Sequence, residues 1–253
     1  MSKYHKRKSN LYNPNSDEPF RISRSKIDLF LECPRCFYLD RRRGLGRPSM
    51  PGWALNSAVD QLLKNEFDLL RKNGESHKLM KKYGIDAIPY SHPQLPVWRD
   101  DHYSYTGACT IHKETNLEIC GIIDDIWTDH KEEKVFIVDY KATSTKREIS
   151  LDDEYKQAYK RQMEVYQWIC RRLGFNVSNT GYFLFANAGK NRPKFDSRLE
   201  FEASIIPYQG DDSWVEPTIF KMKECLDSEE LPQSGEECEF CAYRKLIKEE
   251  GNN

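Results

Sequence analysis

Apolar positions along the chain follow two rhythms. The runs LEICGIIDDIW (117–127) and VFIVDYKA (135–142) are dense in strand-forming residues and flank the polar stretch TDHKEEK, which predicts an antiparallel hairpin in a core sheet. TGYFLFANA (180–188) and RLEFEASIIPY (198–208) read as further strands. Helical spacing appears in GWALNSAVDQLLKNEFDLLRK through Leu55, Val59, Leu62, Leu63, Phe67 and Leu70. It recurs over 153–173, with Tyr155, Tyr159, Tyr166, Cys170 and Leu173 near one face, and in WVEPTIFKMKECLD. Near the start, Ser25 and Asp28 form a candidate capping box ahead of the Ile27, Phe30 and Leu31 stripe, and Pro34 should end or kink that helix. The order predicts an α/β chain with helices around a short mixed central sheet, without internal repeats or sustained heptads.

Residues 1–20 lack apolar periodicity and read as a flexible basic arm, leaving 21–253 as a single domain. Within it, residues 73–105 hold Gly74, Gly84, Pro93 and Pro96 with weak periodicity, the pattern of a variable insertion or lid. No apolar run is long enough to span a membrane and no signal-peptide core follows the basic start, so the expected location is cytoplasmic.

A formal net charge of −1 gives no general argument for a polyanionic partner. Distribution matters more. Arg21, Arg24, Lys26, Arg35, Arg41, Arg42, Arg43 and Arg47 outnumber Asp28, Glu32 and Asp40 in their segment, a patch suited to phosphate or simply a solvated basic face.

Two chemistries stand out. Asp124 and Asp139 close apolar strand runs and can converge as hard oxygen ligands for Mg²⁺ or Mn²⁺. Lys141 shares a strand face with Asp139, where an ammonium can neutralise a phosphoryl oxygen. Asp125 is the competing acid on the opposite face, and a solvated hairpin with an incidental salt bridge explains the bare pattern equally well. Cys33 and Cys36, with Cys238 and Cys241, form two CxxC pairs that can make one four-thiolate site if the ends of the chain meet. Zinc and a [4Fe–4S] cluster both suit four cysteines. Cys109, Cys120, Cys170 and Cys225 are isolated in sequence and read as small buried hydrophobes.

The residues GIID, VDYKA and QMEVY, in that order, resemble the PD-(D/E)XK nuclease superfamily, and in particular its RecB-like and CRISPR-adaptation branch. The resemblance implies a restriction-endonuclease-like core. It makes Asp124, three residues after Gly121, and Asp139 the metal ligands, Lys141 the catalytic lysine, and Gln162 with Tyr166 the signature of the following helix. That pair is spaced i,i+4, so both side chains share one helical face and can meet a water, a phosphate or a base. Where the family commonly carries histidine on its first long helix, four residues after a glycine matching Gly52, this chain has Asn56, which cannot titrate but whose amide oxygen can contact a metal or its water. Asp60 and Glu66 on the same helix are reserve acids.

CPRCFYL resembles the branch's Cys-Pro-x-x-Phe-Tyr run, which implies a [4Fe–4S] clip with zinc as the alternative. Cys36 would supply the ligand expected near Ile247. The implied function is divalent-metal-dependent hydrolysis of nucleic-acid phosphodiesters, DNA rather than RNA, by an exonuclease or end-processing nuclease. A protein partner in DNA repair, recombination or CRISPR adaptation is implied with it. The alternatives are an inactive nucleic-acid-binding or assembly module, to which Asn56 points, and hydrolysis of small phosphodiesters. Arg41, Arg42, Arg43 and the arm could hold the nucleic-acid backbone, and Trp98, Tyr103 and Tyr105 could stack bases or cover the core.

Overall fold

The computed structural model describes residues 5–48, 52, 54–99, 106–131, 133–153 and 156–251. Tyr103, Tyr105 and Tyr155 lie outside the described residues. In chain order the elements are β1 (Phe20–Ser23), α1 (Arg24–Glu32), α2 (Pro34–Arg41), α3 (Ala54–Asn73), α4 (Lys78–Lys82), β2 (Ile88–Pro89), α5 (Leu95–Trp98) and β3 (Ala108–His112). There follow β4 (Leu117–Gly121), β5 (Asp125–Thr128), β6 (Val135–Thr143), α6 (Gln157–Arg172), β7 (Thr180–Ala188), β8 (Phe201–Gln209), α7 (Val215–Asp227) and α8 (Glu239–Glu250). The α/β class read from the sequence is the one observed. No helix among the described residues is long and apolar enough to cross a membrane.

The chain divides into two compact units, both reaching into the stretch read as one domain. The first comprises Met1–Pro51, Ile111–Ile119 and Ser213–Asn253, and the second Gly52–Thr110 and Cys120–Asp212.

The second unit is built on a five-stranded mixed sheet of order β2-β5-β6-β7-β8. β5 and β6 pair antiparallel with Ile126 opposite Ile137, and β6 and β7 pair parallel with Lys141 opposite Phe185. A parallel pair needs a long crossover, and α6 supplies it. Strand alternation sends Val138 and Tyr140 into an apolar cluster with Phe67, Trp127, Leu184 and Ile205. Asp139 and Lys141 consequently face the other side, towards α6.

The predicted hairpin is real only in its second half. The run from Leu117 breaks at 122–124, so β4 enters a separate three-stranded sheet of order β1-β4-β3 and β5 alone pairs with β6. Gly121 marks the break because a Cβ there would lie 2.5 Å from Tyr166 Cε1, so only glycine lets the chain pass this close to α6.

Other expectations change with tertiary context. Leu55 and Leu62 on α3 are 61% and 67% exposed, and the helix buries Phe67 and Lys64 instead. α6 is buried at every position from Met163 to Cys170, not along one face. Residues 77–89, read as part of an insertion or lid, pack Leu79, Met80 and Ala87 into the core, because β2 pairs with β5. Cys109 and Cys120 are not isolated: they form a disulfide between β3 and β4.

In the first unit α1 begins at Ser23 without a side-chain cap, and Asp28 pairs with Arg24 rather than closing a capping box with Ser25. Pro34 ends that helix as expected and occupies the first turn of α2. The described part of the arm is tied down: Arg7 pairs with Asp40, and Tyr12 Oη donates to Asp227 at 2.5 Å.

Candidate active site and cysteine centre

Asp139, fully buried on β6, is reached from two directions. Gln162 Nε2 on α6 donates to its Oδ1 at 2.7 Å, and the Lys141 ammonium forms an ion pair with its Oδ2. Gln162 also donates to the Tyr166 hydroxyl at 3.1 Å and accepts from Lys141 Nζ at 3.4 Å. Asp124 sits in the bend before β5, where the backbone N–H of Tyr140, next to Asp139, donates to its Oδ2 at 2.8 Å. One peptide group thus draws the two carboxylates to the same stretch of β6. Burial opposes the charge on Lys141, but Asp139 and Asp124 outweigh it and hold the lysine above its ordinary pKa. The Lys141 ammonium also lies 4.7 Å from the Tyr159 ring centroid, a cation–π contact that orients the side chain.

The neighbouring Asp125 has a different fate. Its Oδ1 takes ion pairs from Arg71 and from Arg99 Nη2 (2.6 Å), and its Oδ2 accepts from the Tyr140 hydroxyl at 2.7 Å. Asp68 bridges the same two guanidinium groups. Asp125 is therefore occupied by protein donors on the α3 side of the sheet.

Among the α3 residues read as candidates, Asn56 is exposed and Glu66 is engaged by His77 Nε2 at 2.9 Å. A group missed from sequence stands between them. Lys64 Nζ contacts Asp60 Oδ2 at 2.8 Å and Asp124 Oδ1 at 3.7 Å. Asn56, Asp60 and Lys64 are spaced i, i+4, i+8, one stripe of the helix, and that spacing was the available signal. Burial disfavours the Lys64 charge, yet Asp124 and Asp60 raise its pKa.

The donor set suits a hard divalent ion. Asp124 and Asp139 present hard carboxylate oxygens, the ligand type such an ion takes, each beside one ammonium group, Lys64 and Lys141 respectively.

In the first unit the four cysteines meet. Sγ separations are 3.8 Å for Cys33–Cys241, 3.6 Å for Cys36–Cys238 and 3.7 Å for Cys36–Cys241. Cys33 caps α2, accepting from the N–H of Cys36 at 3.4 Å, and also accepts from the N–H of Gly235 at 3.2 Å. Burial alone would raise the Cys33 thiol, but these N–H groups bring it down to about 7. Gly235 is required by closeness, since a Cβ would lie 2.1 Å from the Glu32 carbonyl oxygen. Arg47 Nη2 reaches Cys238 Sγ at 3.4 Å and places a positive charge beside the thiols.

The arginine cluster is divided, with Arg43 exposed and Arg41 and Arg42 drawn into the protein. Arg41 is buried against Asp40, Arg42 donates to the Leu226 carbonyl at 2.6 Å, and Arg43 donates to the Tyr38 hydroxyl at 3.3 Å. Trp98 is also committed to packing, stacked on His92 and edge-on to Phe175.

Compared with known families, residues 21–246 match the model of the PD-(D/E)XK nuclease superfamily. No curated protein matches the chain.

Proposed function

The chain belongs to the PD-(D/E)XK nuclease superfamily, whose members are metal-dependent nucleases acting on nucleic acid, and from that premise we propose that it is a deoxyribonuclease working at DNA ends. The observation that carries this reading is the convergence of Asp124 and Asp139 on β6 with Lys141 paired to the second of them. Asp124 and Asp139 would hold Mg²⁺ or Mn²⁺, which when bound supplies Lewis-acid stabilisation of phosphoryl charge and a more acidic water. The remaining roles belong to the chain. Lys141, kept protonated by its two acidic neighbours, sets a positive charge where a non-bridging phosphoryl oxygen gains negative charge. Gln162 fixes the Asp139 carboxylate through one hydrogen bond and is itself fixed by Tyr166. Asn56, lacking the proton chemistry of histidine, serves at most to hold a water at the outer end of its stripe.

At the cysteine centre our reading is a single zinc ion rather than [4Fe–4S]. Four sulfurs around one ion at ~2.3 Å have edges of about 3.8 Å, close to the separations observed. A cubane cluster carries each cysteine on a different iron and needs a wider set. Bound zinc with no visible absorbance after anaerobic purification supports the single ion, whereas iron with broad charge-transfer absorbance overturns it.

Cleavage of end-labelled single- and double-stranded DNA, with Mg²⁺ and separately with Mn²⁺, tests the main reading. Metal-dependent products that disappear in Asp139→Ala support it. Folded, metal-loaded protein that binds DNA without cutting supports the second reading, an inactive binding or assembly module. The lysine already placed at Asp124 favours that second reading.

A further inference from the structure

A buried histidine stands at the end of β3, in neither of the centres described above. His112 is fully buried, yet two carboxylates reach one of its ring nitrogens: Nε2 lies 2.7 Å from Glu216 Oε1 and 3.5 Å from Glu114 Oε2. The other nitrogen is held from within the protein, with Thr115 Oγ1 2.8 Å from Nδ1. The Thr115 hydroxyl is directed as a donor to the His112 carbonyl at 3.5 Å, so its oxygen is the acceptor for Nδ1–H. That tautomer turns the Nε2 lone pair towards the two acids. Three lone-pair donors facing one point need a positive centre between them. A proton on Nε2 lies along one direction and meets one carboxylate, whereas a divalent ion meets all three atoms at once.

Rigid elements hold these atoms in place. Glu114 is at the tip of the β3–β4 hairpin, where the Thr115 N–H donates to the His112 carbonyl at 3.2 Å and Asn116 takes a left-handed φ of 53°. Asn116 Nδ2 donates to the Asp17 carbonyl at 2.9 Å, and the Asn116 carbonyl accepts from the Phe20 N–H at 3.0 Å, which anchors the tip. Glu216 lies in the first turn of α7, a helix that buries Val215, Ile219 and Met222 completely. One turn further on, Phe220 sets its ring edge-on to the imidazole with centroids 5.1 Å apart, so Glu216 and Phe220 grip the same side chain from one helical face. Hairpin tip and helix both belong to the first unit.

We propose that His112, Glu114 and Glu216 bind a divalent transition ion of the zinc type, which clips the tip of the β3–β4 hairpin to α7. Their ligand atoms all lie within 4.8 Å of one another. Nitrogen and oxygen ligands at about 2.1 Å from one ion stand roughly 3.0 Å apart in an octahedral site and roughly 3.4 Å apart in a tetrahedral one, and the two distances from Nε2 bracket that range. The imidazole selects against Mg²⁺ and Ca²⁺, which take oxygen ligands. Thr115 acts as a positioning residue: a metal-bound histidine characteristically donates its second N–H to a fixed acceptor, which sets the tautomer and the ring angle. The site shares no residue with the cysteine centre or with the Asp124 and Asp139 pair, so it does not depend on the nuclease reading.

The test is a Zn²⁺ titration of the full chain with its cysteine centre already filled, followed by long-range ¹H–¹⁵N NMR of the six histidine rings. Neither the cysteine centre nor the Asp124 and Asp139 pair contains an imidazole, so zinc taken up there leaves these signals in place. One ring should change at one added equivalent, with the shift on its Nε2 signal, and it should be the ring whose signals Glu216→Gln also perturbs. Glu114 and Glu216 keep 58% and 38% of their side chains exposed, so Glu114→Gln and Glu216→Gln leave the fold intact. Thr115→Val should weaken zinc at this ring by roughly 10- to 100-fold, and each glutamine variant by at least as much. Zinc should also raise the melting temperature of the parent by more than that of the double glutamine variant. A His112 ring that zinc leaves unchanged overturns the site, and so does zinc affinity at His112 that is the same in the parent and in both glutamine variants.

Discussion

Asp124 and Asp125 are adjacent in sequence and opposite in circumstance. Asp125 is fully buried, and protein donors occupy both of its oxygens: two guanidinium groups, a tyrosine hydroxyl and the N–H of Ile126. Asp124 keeps 17% of its side chain exposed and has one backbone hydrogen bond and one ammonium at 3.7 Å. The difference teaches where chemistry can occur. A carboxylate whose lone pairs all meet protein donors is part of the scaffold, whereas one held by a single peptide N–H, beside a second buried acid, retains capacity for a cation.

The comparison can be broken at five positions. Asp139→Ala should abolish metal-dependent cleavage, and Lys141→Ala should reduce it by on the order of 10²–10³-fold, each scored per folded molecule because the two residues form a buried ion pair whose loss also lowers stability. Cleavage per folded molecule equal to that of the parent in either variant would place these residues with Asp125. Asp125→Asn should do the reverse, costing about 3–5 kcal/mol in denaturant unfolding because it leaves Arg71 and Arg99 uncompensated, with cleavage per folded molecule retained. Loss of cleavage in a stable Asp125→Asn protein would reverse the roles assigned here.

Gly121→Ala should cost about 1–3 kcal/mol by forcing Tyr166 and Ile169 away from the chain. An unchanged melting temperature would show that the break before Asp124 does not depend on this close approach. The smallest effect is expected from Lys64→Met. Removing the ammonium beside Asp124 and Asp60 should lower the Mn²⁺ concentration for half-maximal terbium displacement by a few-fold. An unchanged or raised value would mean that Lys64 does not compete with the ion.

Legibility in sequence followed the range of the interactions concerned. β7 runs from Thr180 to Ala188, the stretch that its apolar run marked. A strand buried on both faces is written in consecutive residues. The 117–127 run misled because its break depends on Tyr166, more than forty positions away, and no local rhythm encodes that contact. Exposed leucines on α3 and the all-round burial of α6 were equally invisible, since periodicity shows that a helix has a face but not what covers it.

By itself, then, the sequence determined the α/β class, the superfamily motifs, the placing of Asp139 and Lys141 on one strand face, and the two cysteine pairs as candidates for one centre. All of these are set by residue type and a spacing of two to four, which strand and helix geometry convert directly into position. Only the tertiary structure decided which of two adjacent aspartates keeps its oxygens open, that Lys64 stands at Asp124, that Cys109 and Cys120 are bonded, and that Arg41 and Arg42 are drawn inward while Arg43 stays exposed. Each of these depends on which distant groups share a space, and burial and charge pairing in that space, not the local chain, set the outcome.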